Sequence, residues 1–195
     1  MDRREFLKCS VAAVLGLGFP FLLPASGEAA FSGAGGPTIY KRSLHFNGYA
    51  RRSSTDSIII HHSGLSVDKD STVQEIHRAH QQGNGWAGIG YHYLIHKNGK
   101  IDQGRAPEQV GAHTWKHNGN TIGICVAGNF NLARPTASQI NSLNMLVAWL
   151  CMQYRLNPTR KDVILGHCDL NSTDCPGKHL YPLLGDVRRY CRDFD

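Results

Sequence analysis

Histidine and cysteine occur in this chain at the ends of apolar runs, where a fold can gather distant side chains around one point. His61-His62 closes the run Ile58-Ile59-Ile60, His167 follows Val163-Ile164-Leu165, and Cys175 stands in Asp174-Cys-Pro-Gly177, eight residues beyond His167. Imidazole nitrogen and thiolate sulfur are preferred ligands of zinc. Two imidazoles and one thiolate leave a fourth position for water, as in a catalytic rather than a structural site. Cys168 could in principle close the site, but neighbouring residues leaving a strand point to opposite sides, so His167 and Cys168 do not readily face one ion. The cysteine count agrees. Without the first thirty residues five cysteines remain, Cys125, Cys151, Cys168, Cys175 and Cys191, and an odd number leaves at least one outside any internal disulfide. Pairing among the other four stays open: at most two disulfides, or buried thiols for Cys151 and Cys191, which lie on apolar helix faces.

The elements that must position these residues can be read from periodicity and turn chemistry. Ser57 to His62 is β-branched and continuous, the pattern of a buried central strand. Ser71 with Gln74 and Thr72 with Glu75 both form capping boxes, followed by Val73, Ile76 and Ala79 in a short helix expected to end before Gly83-Asn84-Gly85. Tyr91–His96 and Lys100–Gly104 flank Asn98-Gly99, a hairpin signal that requires an antiparallel pair. Thr121–Ala127 reads as another strand. Thr136-Ala-Ser-Gln139 opens the longest helix, whose apolar face runs through Ile140, Leu143, Leu146, Val147, Leu150, Cys151 and Tyr154 and which Pro158 should stop. Asp162–Leu165 is a short strand, and Leu183, Leu184, Val187 and Tyr190 mark a terminal helix. The alternation predicts an α/β fold: one domain with a central mixed sheet flanked by helices.

The leader is separate. Residues 1–30 carry paired arginines in Arg3-Arg-Glu-Phe-Leu-Lys8, an apolar stretch from Val11 to Leu23, Pro24, and then small residues up to Ala29 and Ala30. This is the layout of an export signal, with the arginine pair resembling a twin-arginine signal. The apolar stretch is too short and interrupted for a membrane span of ~20 residues, so no stable span is expected after cleavage. The leader's three acidic and three basic residues cancel, and the remaining chain keeps the net charge of +6. Phe31–Pro37 is Gly- and Ser-rich and reads as a flexible lead-in, which gives residues 31–195 to a single domain with its core at about 57–184. The charge suits an anionic polymer. Without a recognised module or aromatic-basic interleaving, a nucleic-acid role is discounted.

Six blocks occur in order: Ile58-Ile-Ile-His-His-Ser63, Gly85-Trp-Ala-Gly-Ile-Gly-Tyr-His-Tyr93, Asn98-Gly-Lys-Ile-Asp-Gln-Gly-Arg105, Gly111-Ala-His113, Thr121-Ile-Gly-Ile-Cys-Val-Ala-Gly128, and Gly166-His-Cys-Asp169 with Asp174-Cys-Pro-Gly177. Together they resemble the N-acetylmuramoyl-L-alanine amidases of the phage-lysozyme type and the related peptidoglycan recognition proteins, over about Ser57 to Leu184. The resemblance implies a zinc at the floor of a surface groove, held by His61, His167 and Cys175, with His62 facing away. It implies that Tyr91 stands beside the water, that His113 lines the groove, and that Thr173 takes a position where phage enzymes have lysine and many recognition proteins threonine. Cys125 occupies the place of a glutamate used by a subgroup acting on anhydromuramyl fragments, so membership of that subgroup is not expected.

The implied activity is hydrolysis of the amide between N-acetylmuramic acid and L-alanine in peptidoglycan or its muropeptides, in the periplasm or cell envelope. Zinc acidifies water and polarises the carbonyl, while Tyr91 and Thr173 donate to the developing oxyanion. The principal alternative is a non-catalytic peptidoglycan-binding module. Retention of Cys175 and Tyr91 favours the enzyme. A zinc peptidase of the His-Glu-x-x-His kind is disfavoured because that motif is missing.

Overall fold

The computed structural model describes residues 31–32 and 36–193. In chain order its strands are β1 (Phe31–Ser32), β2 (Gly36–Pro37), β3 (Ile39–Tyr40), β4 (Ser57–His62), β5 (Tyr93–Ile95), β6 (Ile101–Gln103), β7 (Thr121–Val126) and β8 (Ile164–Gly166). Its helices are α1 (Val73–Asn84), α2 (Ala137–Tyr154) and α3 (Leu184–Arg192). Six strands form one sheet in the order β3-β6-β5-β7-β4-β8, and β1 pairs with β2 apart from it. The strands β5, β7, β4 and β8 run parallel, whereas β5 and β6 are antiparallel across the Asn98-Gly99 turn, so the sheet is mixed.

Strand alternation decides what each face of β4 does. Ile58 and Ile60 point to one face and join Ile122, Ile124 and Val126 of β7 under the apolar stripe of α2, with Leu143, Leu146, Val147 and Leu150 fully buried. Val187 of α3 completes that layer. The opposite face carries a smaller cluster in which Val73 and Ile76 of α1 cover Leu94, Cys125 and Ala127. Parity therefore sends His61, paired in register with Cys125, to the α1 face and His62 to the α2 face.

Helix ends follow their caps. Thr72 and Thr136 each accept a hydrogen bond from the residue three ahead and receive its side chain on their own N–H, so both capping boxes close. Ser71 is not the cap; its hydroxyl is buried without a partner. Against expectation, α1 continues through Gly83 and Asn84, because the left-handed turn that ends it falls at Gly85, with φ 67° and its N–H on His80 O. Likewise α2 stops at Arg155, φ 54°, ahead of Pro158. Within the expected lead-in, Gly36–Pro37 is ordered as strand, and β3 adds an edge beside β6. Such two-residue strands carry no pattern of their own: β1 and β2 are held by each other, and β3 by β6 far along the chain.

Candidate metal centre

The ends of β4 and β8 lie side by side, with Ile60 opposite Gly166, and this brings His61 next to His167. Their rings are 4.6 Å apart between centroids. The chain then turns at His167–Asp169 and returns so that Cys168 N–H donates to Cys175 O at 2.8 Å, which carries the Cys175 thiol under the same strand ends. One donor atom each from His61, His167 and Cys175 lies within 4.8 Å of the others. His61 Nδ1 is 3.6 Å from Cys175 Sγ. Zinc bonds of about 2.1 Å to nitrogen and 2.3 Å to sulfur in a tetrahedron separate the two ligands by about 3.6 Å, so this edge already has the required length. Cys175 is free of any disulfide.

Each donor has a partner behind it. His167 Nε2 lies 3.1 Å from Asn171 Oδ1, which leaves Nδ1 for the centre. Cys175 Sγ accepts the backbone N–H of His62 at 3.4 Å. His61 Nε2 meets His113 Nδ1 at 3.1 Å and Thr114 Oγ1 at 3.5 Å. Ligating histidines ordinarily have their second nitrogen hydrogen-bonded in this way. Among these partners only Asn171, four residues after His167, has a spacing that carries a signal in the sequence.

Burial sets the protonation states. His61 is 1% exposed, and desolvation with His167 and His62 close by holds its pKa well below the ordinary histidine range. His167, half-buried, is shifted down for the same first reason. Both imidazoles are thus neutral and free to ligate. Burial pushes the Cys175 thiol up to about 12, although the His62 N–H opposes this, so a thiolate there requires a bound cation. Two neutral imidazoles and a thiol that gives up its proton only to a bound cation fit zinc.

The remaining expected residues fall as follows. The Tyr91 ring lies 5.2 Å from that of His61, and its pKa is driven up by burial and by Cys125 and Cys175, so the phenol keeps its proton. Thr173 Oγ1 accepts the N–H of Cys175 at 3.2 Å and retains its own proton to donate. His62 points away and its Nδ1 accepts from Phe130 N at 3.2 Å. His113 is 7% exposed and packs edge-on against His61 and His92, at 5.1 and 5.6 Å between centroids. The structure places His113 beside His61 Nε2, on the side of that ring away from Cys175. The backbone ahead of Tyr91 is fixed by His80 Nδ1, which accepts Gly90 N–H at 3.1 Å, and by buried Arg105, which donates to Ile89 O and Val110 O.

Residues 51–178 match the model of the N-acetylmuramoyl-L-alanine amidase family. The chain is 31% identical over 133 residues to the endolysin of Escherichia phage T7, a match covering 66% of this chain and 84% of that protein. Among solved structures, the N-acetylmuramoyl-L-alanine amidase LysC from Clostridium intestinale URNW superposes with a TM-score of 0.71 at 30% identity, covering 78% of this chain and 96% of that one. Drosophila PGRP-LB superposes with a TM-score of 0.68 at 26% identity, over 76% and 92% of the two chains.

Proposed function

Because this chain belongs to the N-acetylmuramoyl-L-alanine amidase family, we propose that it cleaves the amide between N-acetylmuramic acid and L-alanine in peptidoglycan with a zinc ion held by His61, His167 and Cys175. The observation that carries this reading is the convergence of three donors from distant segments, two of them already at the tetrahedral separation. When bound there, zinc polarises the scissile carbonyl and makes water nucleophilic near neutral pH. The chain's own residues position and stabilise. Tyr91, protonated at working pH, donates to the oxyanion that develops as the carbonyl becomes tetrahedral. Thr173 adds a neutral hydroxyl donor where a lysine would supply full charge. His62 acts through its backbone N–H alone, holding the sulfur.

The test is mass spectrometry of purified muropeptides after incubation with the metal-loaded protein. Release of free stem peptide from the muramyl glycan supports the amidase; muropeptides that bind yet stay intact would make the chain a recognition module.

The same reading extends to the leader. Residues 1–30 lie outside the described residues, and among those described no helix is long and apolar enough to cross a membrane. The paired Arg3 and Arg4 ahead of an apolar stretch support twin-arginine export to the periplasm or cell envelope.

A further inference from the structure

The residue behind His61 is held more tightly than a packing side chain needs to be. The backbone of His113 is pinned by Asn118 Oδ1, which accepts the N–H groups of both His113 and Thr114 at 2.8 and 2.9 Å. The ring lies in a slot made by two glycines. A Cβ on Gly111 would come within 2.4 Å of His113 Cδ2, and one on Gly123 within 2.5 Å of both Cγ and Cδ2. Gly123 is an interior residue of β7, where glycine weakens a strand unless something must approach closely. All the side-chain hydrogen-bond contacts of the ring lie at Nδ1: His61 Nε2 at 3.1 Å and Thr114 Oγ1 at 2.9 Å. Nε2 is buried with no side-chain partner, and a backbone contact with Thr121 favours a proton on the ring.

We propose that His113 is a positioning residue of the metal centre: its Nδ1 accepts the Nε2–H of His61 and so commits His61 Nδ1, the nitrogen facing Cys175, to the ion. The proposal rests on the zinc reading above. An imidazole that ligates through Nδ1 carries its proton on Nε2, and on a ring as buried as His61 that proton needs an acceptor from the protein. His113 supplies one by keeping its own proton on Nε2, a state that the backbone contact with Thr121 favours. The Thr114 hydroxyl, 3.5 Å from His61 Nε2, closes the three-centre contact. The two glycines fix the ring's plane, so the acceptor cannot swing away.

Two measurements on the full chain test this. Long-range proton–nitrogen NMR of the zinc-loaded protein reads which His61 nitrogen carries the proton; Nε2 is expected. Chelator competition then measures zinc affinity. His113→Phe fills the slot without an acceptor and is expected to weaken zinc binding about 10–100-fold. His113→Asn is smaller but places an amide oxygen near the Nδ1 position, and is expected to recover part of that loss. Coordination of His61 through Nε2 would overturn the proposal in the wild type alone, whether or not a variant folds. So would a Phe variant that holds zinc as tightly as wild type, or an Asn variant no better than Phe, since packing would then be the whole effect. A wild-type chain that takes up no zinc would overturn the metal reading itself, and this proposal with it.

Discussion

At the scale of single residues, a metal ligand and a hydrogen-bond donor beside it differ in what their loss should do. Cys175→Ser replaces the one anionic ligand with a neutral hydroxyl, so zinc retention should fall and turnover nearly vanish. Tyr91→Phe should keep zinc and substrate binding, with kcat lower by ~10²–10³ if the phenol donates only in the transition state; zinc content and steady-state kinetics on both variants check this. Zinc affinity should also depend on pH with a definite sign. The metal-free Cys175 thiol, pushed up to about 12, must lose its proton to bind, whereas His61 and His167 are already neutral. Affinity should therefore rise about tenfold per pH unit from pH 7 to 9, one proton leaving for each zinc bound; a flat profile in chelator competition would show that the thiol is not a ligand. His61, His167 and Cys175 were legible as a set because each stands at the end of an apolar run or in a tight turn. The contact of His61 with His113 was not, since 52 residues separate them and no pattern in the chain connects them.

Among the elements, legibility followed length. The six-residue β4 and the 18-residue α2 announce themselves by burial pattern and cap, and Asn98-Gly99 fixes the β5–β6 hairpin. Strands of two residues and the exact residue at which a helix turns left-handed depend on tertiary partners instead. One close approach offers a sharp test of how the elements hold the centre. A Cβ on Gly90 would lie 2.1 Å from the carbonyl oxygen of Ala112, a backbone atom that cannot step aside, while Ala112 N–H donates to Gly90 O at 3.0 Å. Gly90→Ala should thus destabilise the fold by about 1–3 kcal/mol and lower activity beyond that, because Tyr91 follows directly. Equilibrium unfolding reads the first effect. Thr136→Ala, which removes the cap of α2 on the far face, should cost about 1 kcal/mol and leave kcat unchanged.

For the whole molecule, buried neutral histidines should make it acid-sensitive. Burial lowers His92 to about 3 and His80 to about 4, and holds His61 and His113 well below the ordinary value. Unfolded, each titrates near 6.5. Between those limits the unfolded chain binds more protons, so stability falls as pH drops below about 6.5. His92 alone, fully buried, should account for ~2 kcal/mol between pH 6.5 and 5, and denaturant midpoints independent of pH over that range would refute it. Export is tested by Arg3→Lys with Arg4→Lys, which should leave an uncleaved precursor in the cytoplasm; unchanged periplasmic delivery would remove the twin-arginine reading. The amidase itself is tested most directly by following one preparation through metal removal and return, with zinc per chain and muropeptide cleavage measured together. One zinc per chain, cleavage between muramic acid and L-alanine that disappears with the metal, and its recovery on zinc addition are the expected result. A metal-free protein that still releases stem peptide, or a fully active Cys175→Ser, would contradict it.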